Sequence, residues 1–207
     1  LMSQFFYIHE ENPQARLINQ VVEILKQGGV IVYPTDSGYA LGCMIGDKNA
    51  MTRMVRIRQI DNDQNFSLMC RDLSELANFA KFDNQDYRLL KSYTPGPYTY
   101  MGKASKEVPR RLQCEKKRTI GIRVPDNLIL QALLEALGEP LMSTSLVMPN
   151  EEHAESDPEH IRDILEHQVE GIVLGGYLPE KQTTVIDMSE GEINILRYGA
   201  GDTSAFE

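Results

Sequence analysis

An α/β fold is what this chain predicts, and three observations predict it. Apolar positions at helical spacing alternate with short apolar runs of strand length. Helix caps and turn residues punctuate the joins between them. The composition, with 42% hydrophobic and 25% charged residues, is that of a folded globular chain.

The elements follow in order. Asn12-Pro13 reads as a helix start, with Leu17, Ile18, Val21, Val22, Ile24 and Leu25 on the apolar stripe and Gly28-Gly29 as the stop. Residues 30–33 form a short buried strand. Asp47 caps a helix carrying Ala50, Met51, Met54 and Val55. Residues 66–70 make a strand, and Asp72-Leu73-Ser74-Glu75 resembles a capping box opening the next helix. Thr94-Pro95-Gly96-Pro97 is a turn leading into a strand from Tyr98. Residues 119–124 alternate as a strand closed by Pro125. An apolar helix covers 128–137 and stops at Gly138. Residues 141–145 are a strand, Asp157-Pro158 starts a helix with Ile161, Ile164 and Leu165, and 171–174, 183–188 and 193–197 are strands. The acidic stretch 148–159 reads as a surface loop. No repeat or composition break divides the chain, so one domain over residues 1–207 is expected, with its core at about 14–201.

The 207 residues suffice for one sizeable core. With 21 Lys and Arg against 30 Asp and Glu, the net charge is −9, which disfavours non-specific nucleic-acid binding. Local clusters remain: Arg53, Arg56 and Arg58; Lys103, Lys106, Arg110 and Arg111; Lys116, Lys117 and Arg118. Cys43, Cys70 and Cys114 are odd in number and scattered, against a disulfide framework or a structural zinc site. His160 and His167 lie two helical turns apart, too far to share a metal, so no metal site is expected. No signal peptide and no run of roughly 20 apolar residues is evident, and the expected location is cytoplasmic, away from membranes.

Three stretches carry the chemistry. The first, residues 33–43, leaves a strand and displays Thr35, Asp36, Ser37 and Tyr39, in the post-strand position where α/β proteins keep ligands. The second is Tyr93-Thr94-Pro95-Gly96-Pro97-Tyr98-Thr99. The third is Leu141-Met142-Ser143-Thr144-Ser145, after Thr119-Ile120-Gly121-Ile122-Arg123-Val124-Pro125. Hydroxyls, backbone N–H groups and arginine suit an anionic, phosphate-like ligand.

In order and spacing these stretches resemble the YrdC-like family, the threonylcarbamoyl-adenylate synthases of tRNA modification. Residues 33–42 match Y-P-T-D/E-T-x-Y-G-L-G, 94–99 match W-P-G-P-L-T, and 119–125 match T-x-x-x-R-x-P. Residues 183–187 match S/T-T-V-x-D, and 195–200 match I-L-R-x-G-A. Residues 3–7 and 143–146 point to one branch of the family. The resemblance implies a twisted mixed sheet flanked by helices, with a concave ligand-binding face. It implies a reaction in which threonine, bicarbonate and ATP, with magnesium bridging phosphates, give threonylcarbamoyl-adenylate and pyrophosphate, with no tightly bound cofactor. It also implies a site: Thr35 and Tyr39 in the threonine part, Arg58 in place of the lysine of a K-x-R motif, and Thr119 and Arg123 at the nucleotide and the substrate carboxylate. Ser143 and Ser145 would bond the ligand, Thr183 would close the pocket, and Arg197 would reach the phosphates.

Two family motifs are altered. K-x-R falls on Arg58-Gln59-Ile60, or with a slip on Arg56-Ile57-Arg58, and S-x-N falls on Ser145-Leu146-Val147. Each lost charge-assisted contact in a closed site costs about 2–4 kcal/mol of transition-state stabilisation. The leading expectation is therefore a protein that binds double-stranded RNA or tRNA and a nucleotide, with weakened synthase chemistry. Arg56, Arg58, Lys103, Lys106, Arg110, Arg111, Lys116, Lys117 and Arg118 would meet the RNA. The alternative is an active ATP-dependent synthase.

Overall fold

The computed structural model describes residues 2–60, 66–110 and 117–207. One sheet organises them. In chain order its strands are β1 (Gln4–Tyr7), β2 (Ile31–Thr35), β3 (Gly38–Met44), β4 (Ser67–Met69), β5 (Ala80–Lys81), β6 (Tyr98–Ala104), β7 (Thr119–Arg123), β8 (Leu141–Ser145), β9 (Gly171–Leu174), β10 (Thr184–Asp187) and β11 (Asn194–Arg197). Across the sheet they run β1-β9-β2-β3-β8-β4-β7-β6-β10-β11, with β5 pairing β6. The sheet is mixed: β1–β9, β2–β9, β4–β7 and β6–β10 pair in parallel, and the other neighbours pair antiparallel.

The helices are α1 (Ala15–Lys26), α2 (Lys48–Arg58), α3 (Leu73–Phe79), α4 (Asn84–Ser92), α5 (Leu128–Leu137) and α6 (Pro158–Leu165). Their ends follow local chemistry. The side chains of Asp47, Asp72, Asp83, Asn127 and Asp157 each accept a backbone N–H of the first turn. Gly138 ends α5 in the left-handed region, at φ 78°. The expected start at Asn12-Pro13 falls two residues early, since α1 is entered through Gln14 without a side-chain cap. The expected capping box at Asp72 is half formed. Asp72 accepts from the Glu75 amide at 2.8 Å, but the Glu75 carboxylate turns back to the Arg71 amide at 2.9 Å.

Two apolar cores lie on the two sheet faces. On one, α1 and α5 pack Ile18, Val21, Leu25, Leu130, Leu133 and Leu134 against Ile31, Tyr33, Ala40, Leu141 and Val173. On the other, α2 and α6 pack Met51, Met54, Ile161 and Leu165 against Val32, Tyr39, Leu41, Leu68 and Ile122. Strand alternation keeps the two sets apart, because successive side chains point to opposite faces.

The largest departure from the sequence-based reading is at residues 33–43. They do not form a post-strand loop but a tight hairpin: β2 turns at Asp36-Ser37 and β3 returns antiparallel through the middle of the sheet. The small residues of β3 have a packing cause. A Cβ on Gly42 would lie 2.6 Å from Tyr33 Cε1, and one on Gly38 would lie 2.8 Å from Ala154 Cβ. Strand β1 and helix α4 are further elements that the sequence pattern did not reveal.

Candidate functional site

The face that α1 and α5 cover at one side of the sheet changes character at the other. There the residues of that face are Ser67 on β4, Gly121 and Arg123 on β7, Thr99 and Met101 on β6, and Val185 on β10. Together they help line a cavity of about 400 Å³. The register explains the gathering: Ser67 lies beside Gly121, Gly121 beside Met101, and Thr99 beside Val185. Gly121 keeps the floor low, because a Cβ there would sit 3.0 Å from Met101 Sδ and 3.2 Å from Thr99 Cγ2.

Arg58, Arg123 and Arg197 converge on this cavity from three elements. Each is fixed by acceptors of the protein. Arg123, 4% exposed, donates from Nη2 to Ser37 Oγ at 2.6 Å and to Asp36 Oδ1 at 3.2 Å, with Thr35 Oγ1 at 3.4 Å. Asp36 is held in turn by the Asp126 amide at 2.8 Å. Arg58, at the end of α2, reaches round β8: its Nε donates to the Val147 carbonyl at 3.1 Å and its Nη1 to Thr144 Oγ1. Arg197 donates from Nε to the Thr183 carbonyl at 3.0 Å and from Nη2 to Thr183 Oγ1 at 2.9 Å. Burial lowers the Arg58 pKa; burial and then the charge of Arg123 lower that of Arg197. All three remain cations at neutral pH, since guanidinium cannot be deprotonated in proteins.

Arg123 Nε is buried and, among the described residues, has no hydrogen-bond partner. A buried, unsatisfied donor on a charged group costs at least about 1–3 kcal/mol. Three guanidiniums around one small polar cavity, one of them under-satisfied, are suited to an anion that accepts charge-assisted hydrogen bonds. The lining also includes Glu152, on the loop between β8 and α6, with Gln182 beside it: Gln182 Nε2 donates to the Glu152 carbonyl at 3.4 Å.

Of the residues expected at the site, Arg58, Arg123, Ser145, Thr183 and Arg197 line the cavity. Thr35 sits just behind the wall, its Oγ1 donating to the Gly38 carbonyl at 2.6 Å and accepting from the Ser37 amide at 3.0 Å. Thr119 is buried on β7 and is not part of the wall. Two placements correct the expectation. Ser143 is fully buried, bonded to the Tyr33 hydroxyl and donating to the Leu41 carbonyl at 2.9 Å, so it serves the core rather than a ligand. Tyr39 points to the opposite sheet face, where its hydroxyl donates to the Gly176 carbonyl at 2.5 Å and accepts from the Gly175 amide at 3.1 Å. Burial pushes its phenol up to about 12. Alternation puts Tyr39 on the far face, whereas Ser143 shares the cavity face with Ser145 and Ser67 but lies beside Tyr33 under the α1 and α5 core.

The two altered motifs separate in space. Val147 lines the cavity, so the missing amide is a change in its wall. Ile60 instead packs half-buried against the core and is not among the lining residues, while Arg56 is exposed and also outside the wall. Arg58 is a motif position in either placement, so both bring that one cation to the site, and neither Arg56 nor Ile60 joins it. Ser37, Thr99 and Gly121 lie in the three chemistry-bearing stretches but were not named as site residues, and Ser67, Glu152 and Gln182 are wall residues that sequence reasoning missed. For Gly121 the signal was present, since it shares the face of Arg123 two residues on.

The expected RNA-contact residues Lys103, Lys106, Arg110, Lys117 and Arg118 are all exposed. Lys103 Nζ donates to the Lys117 carbonyl at 3.2 Å, and Lys117 pairs with Glu190 at 3.8 Å. Arg111 and Lys116 lie outside the described residues. Among the described residues no helix is long and apolar enough to cross a membrane.

The fold and the arginine-lined cavity define a mixed α/β protein, and the comparisons place it in a family. The profile of the Sua5/YciO/YrdC family, described as telomere recombination, matches residues 23–199, and the chain belongs to this family. The branch to which residues 3–7 and 143–146 pointed is YciO, and relatives bear that out. The chain is 62% identical to Escherichia coli YciO over 205 residues, covering 99% of this chain and all of that protein. It is 63% identical to a Haemophilus influenzae protein over 206 residues, again with 99% and 100% coverage. The crystal structure of E. coli YciO superposes with a TM-score of 0.95 over the full length of both chains. P. abyssi Sua5 complexed with L-threonine superposes at 0.86 with 24% identity, covering 95% of this chain and 58% of that one.

Proposed function

We propose that this chain binds a nucleotide-class anion in the cavity of Arg58, Arg123 and Arg197, together with a threonine-like substrate, and that its threonylcarbamoyl-adenylate synthase chemistry is weakened. The observation that carries the reading is the convergence of three positioned guanidiniums, with the Arg123 Nε left without a partner among the described residues. The structure of P. abyssi Sua5 with L-threonine supports the amino-acid part by likeness of fold.

On this reading the carbamoyl oxygen of threonylcarbamate attacks the α-phosphorus of ATP, and pyrophosphate leaves. Magnesium enters with ATP as part of the substrate. The protein's work is to hold the phosphates and to meet the charge developing on the leaving group, for which fixed arginines are suited. Val147 lacks the amide of the family's S-x-N motif and weakens the hold on the ligand. Mass spectrometry of native chain incubated with ATP, threonine and bicarbonate tests this. Little adenylate from the native chain and about tenfold or more from Val147→Asn is the expected result. Abundant product from the native chain would overturn the weakened-chemistry reading. An Ile60→Arg variant should gain less, because Ile60 stands off the wall.

A second reading, binding of structured RNA, is favoured by one further contact. Lys81 lies directly opposite Lys103 in the β5–β6 pair, and like charges so placed are destabilising without a counter-anion. RNA helices are met chiefly through phosphates and 2′-hydroxyls. Retention of duplex RNA at low salt, lost by Lys81→Glu with Lys103→Glu, is the expected result.

A further inference from the structure

One wall of the cavity is not a strand. It is the loop between β8 and α6, which contributes Glu152 and Ala154 to the lining. Among the described residues this loop is tied to β3 at its start, where the Leu146 amide donates to the Tyr39 carbonyl at 2.9 Å, and again at Glu155. The Glu155 amide donates to the Leu146 carbonyl at 2.9 Å, and its carbonyl accepts from the Tyr39 amide at 2.9 Å. Next to this clip, Ala154 fills the space over Gly38, where a Cβ would come within 2.8 Å of its own Cβ. The Gln182 side chain and the Ser156–Glu180 contact at 3.0 Å tie the loop to the neighbouring one, both at exposed positions.

The Glu155 side chain has a different anchor. Its Oε2 lies 2.9 Å from His160 Nδ1, on the first turn of α6. Glu155 is largely buried, at 11% side-chain exposure, whereas His160 is 52% exposed and open to protons from solvent. His160 takes no part in lining the cavity.

We propose that the Glu155–His160 pair is a pH-sensitive latch that holds this loop as the cavity's wall, so that the wall loosens as pH rises. The proposal rests on the reading that the cavity is the ligand site. Protonated, His160 donates to the Glu155 carboxylate and fixes the residue whose backbone clips the loop. Deprotonated, it presents no charge to that carboxylate. The groups facing the imidazole are Glu155 on the loop, Asp157 at the cap of α6 and Asp163 on α6, all favouring the cation; burial opposes them, and so does the positive end of α6. The sum raises the His160 pKa above its ordinary 6.5, chiefly through the bond to Glu155. A histidine raised in the folded state contributes stability that is fully present below the unfolded value and is lost as pH rises through the folded value. The latch is therefore closed in mildly acidic conditions and opens through the region above 6.5.

Hydrogen exchange of the native full chain reads the latch without any ligand. Protection of the Tyr39 and Glu155 amides, corrected for intrinsic exchange, should fall about two- to fivefold between about pH 6 and about pH 8.5, the range for a half-exposed ion pair. His160→Gln and Glu155→Gln should each give low protection with no such fall, while amides of α1 and α5 stay protected and report an intact fold. A flat native profile, or the same fall in His160→Gln, overturns the proposal. Dissociation of Mg·ATP, compared between the native chain and His160→Gln at each pH so that the nucleotide's own titration cancels, should be faster in the variant only below the transition. Equal rates at every pH overturn the latch as a ligand gate. Absence of Mg·ATP binding, with the exchange profile as expected, would remove the nucleotide reading and leave the loop latch standing.

Discussion

Arg123 shows how much one residue can specify. Its guanidinium is almost wholly buried yet, among the described residues, lacks a partner at Nε, an arrangement that survives only if something repays it. Asp36 and Ser37 hold its other edge, so it is oriented before any ligand arrives. Glu152 works in the opposite sense, as the carboxylate on an otherwise cationic wall. Glu152→Gln should therefore strengthen the binding of inorganic pyrophosphate, by about two- to fivefold for a solvent-screened charge, measured by calorimetry. Weaker binding would mean that Glu152 holds something the anion needs, rather than repelling it.

At the scale of elements the β2–β3 hairpin is decisive. It places Thr35, Asp36 and Ser37 at the turn beside Arg123 and sends β3 through the sheet centre. Its register depends on Gly42 lying flat under the Tyr33 ring. Gly42→Ala should push that ring, and with it the Tyr33–Ser143 bond, at a cost of about 1–3 kcal/mol seen as a fall in unfolding temperature. Leu130→Ala, on the α5 face in the same core as Tyr33, should cost about 2–5 kcal/mol in denaturant unfolding with little change at the cavity. The same hairpin marks where sequence reading stopped. Helices capped by Asp47, Asp72 and Asp157 were legible because caps are local chemistry. Strand β3 was not legible, because Gly38, Ala40 and Gly42 look like loop residues until Tyr33 and Ala154 are seen above them. For a related reason Tyr39 and Ser143 were assigned to a ligand: their motif positions were visible, but the face of Tyr39 and the place of Ser143 under the α1 and α5 core depend on strand pairing. Arg58, Arg123, Thr183 and Arg197 were legible by position in the motifs, whereas Glu152 and Gln182 reach the wall through loop packing that no short pattern encodes.

Taken whole, the molecule covers one half of a sheet face with α1 and α5 and leaves the other half as a polar floor rimmed by arginine. A chain of net charge −9 thus gathers cations where its fold leaves a concavity. Local positive potential inside an acidic protein selects for a compact anion over a long polyanion. The charge-changing variants, the hairpin and the loop latch all bear on one claim, that this cavity binds a nucleotide-class anion through its arginines. Calorimetric titration of Mg·ATP into the native chain and into Arg123→Gln tests that claim most directly. Saturable binding to the native chain, weakened about tenfold or more in the variant, is the predicted result. No binding to the native chain, or equal binding to both, would contradict it.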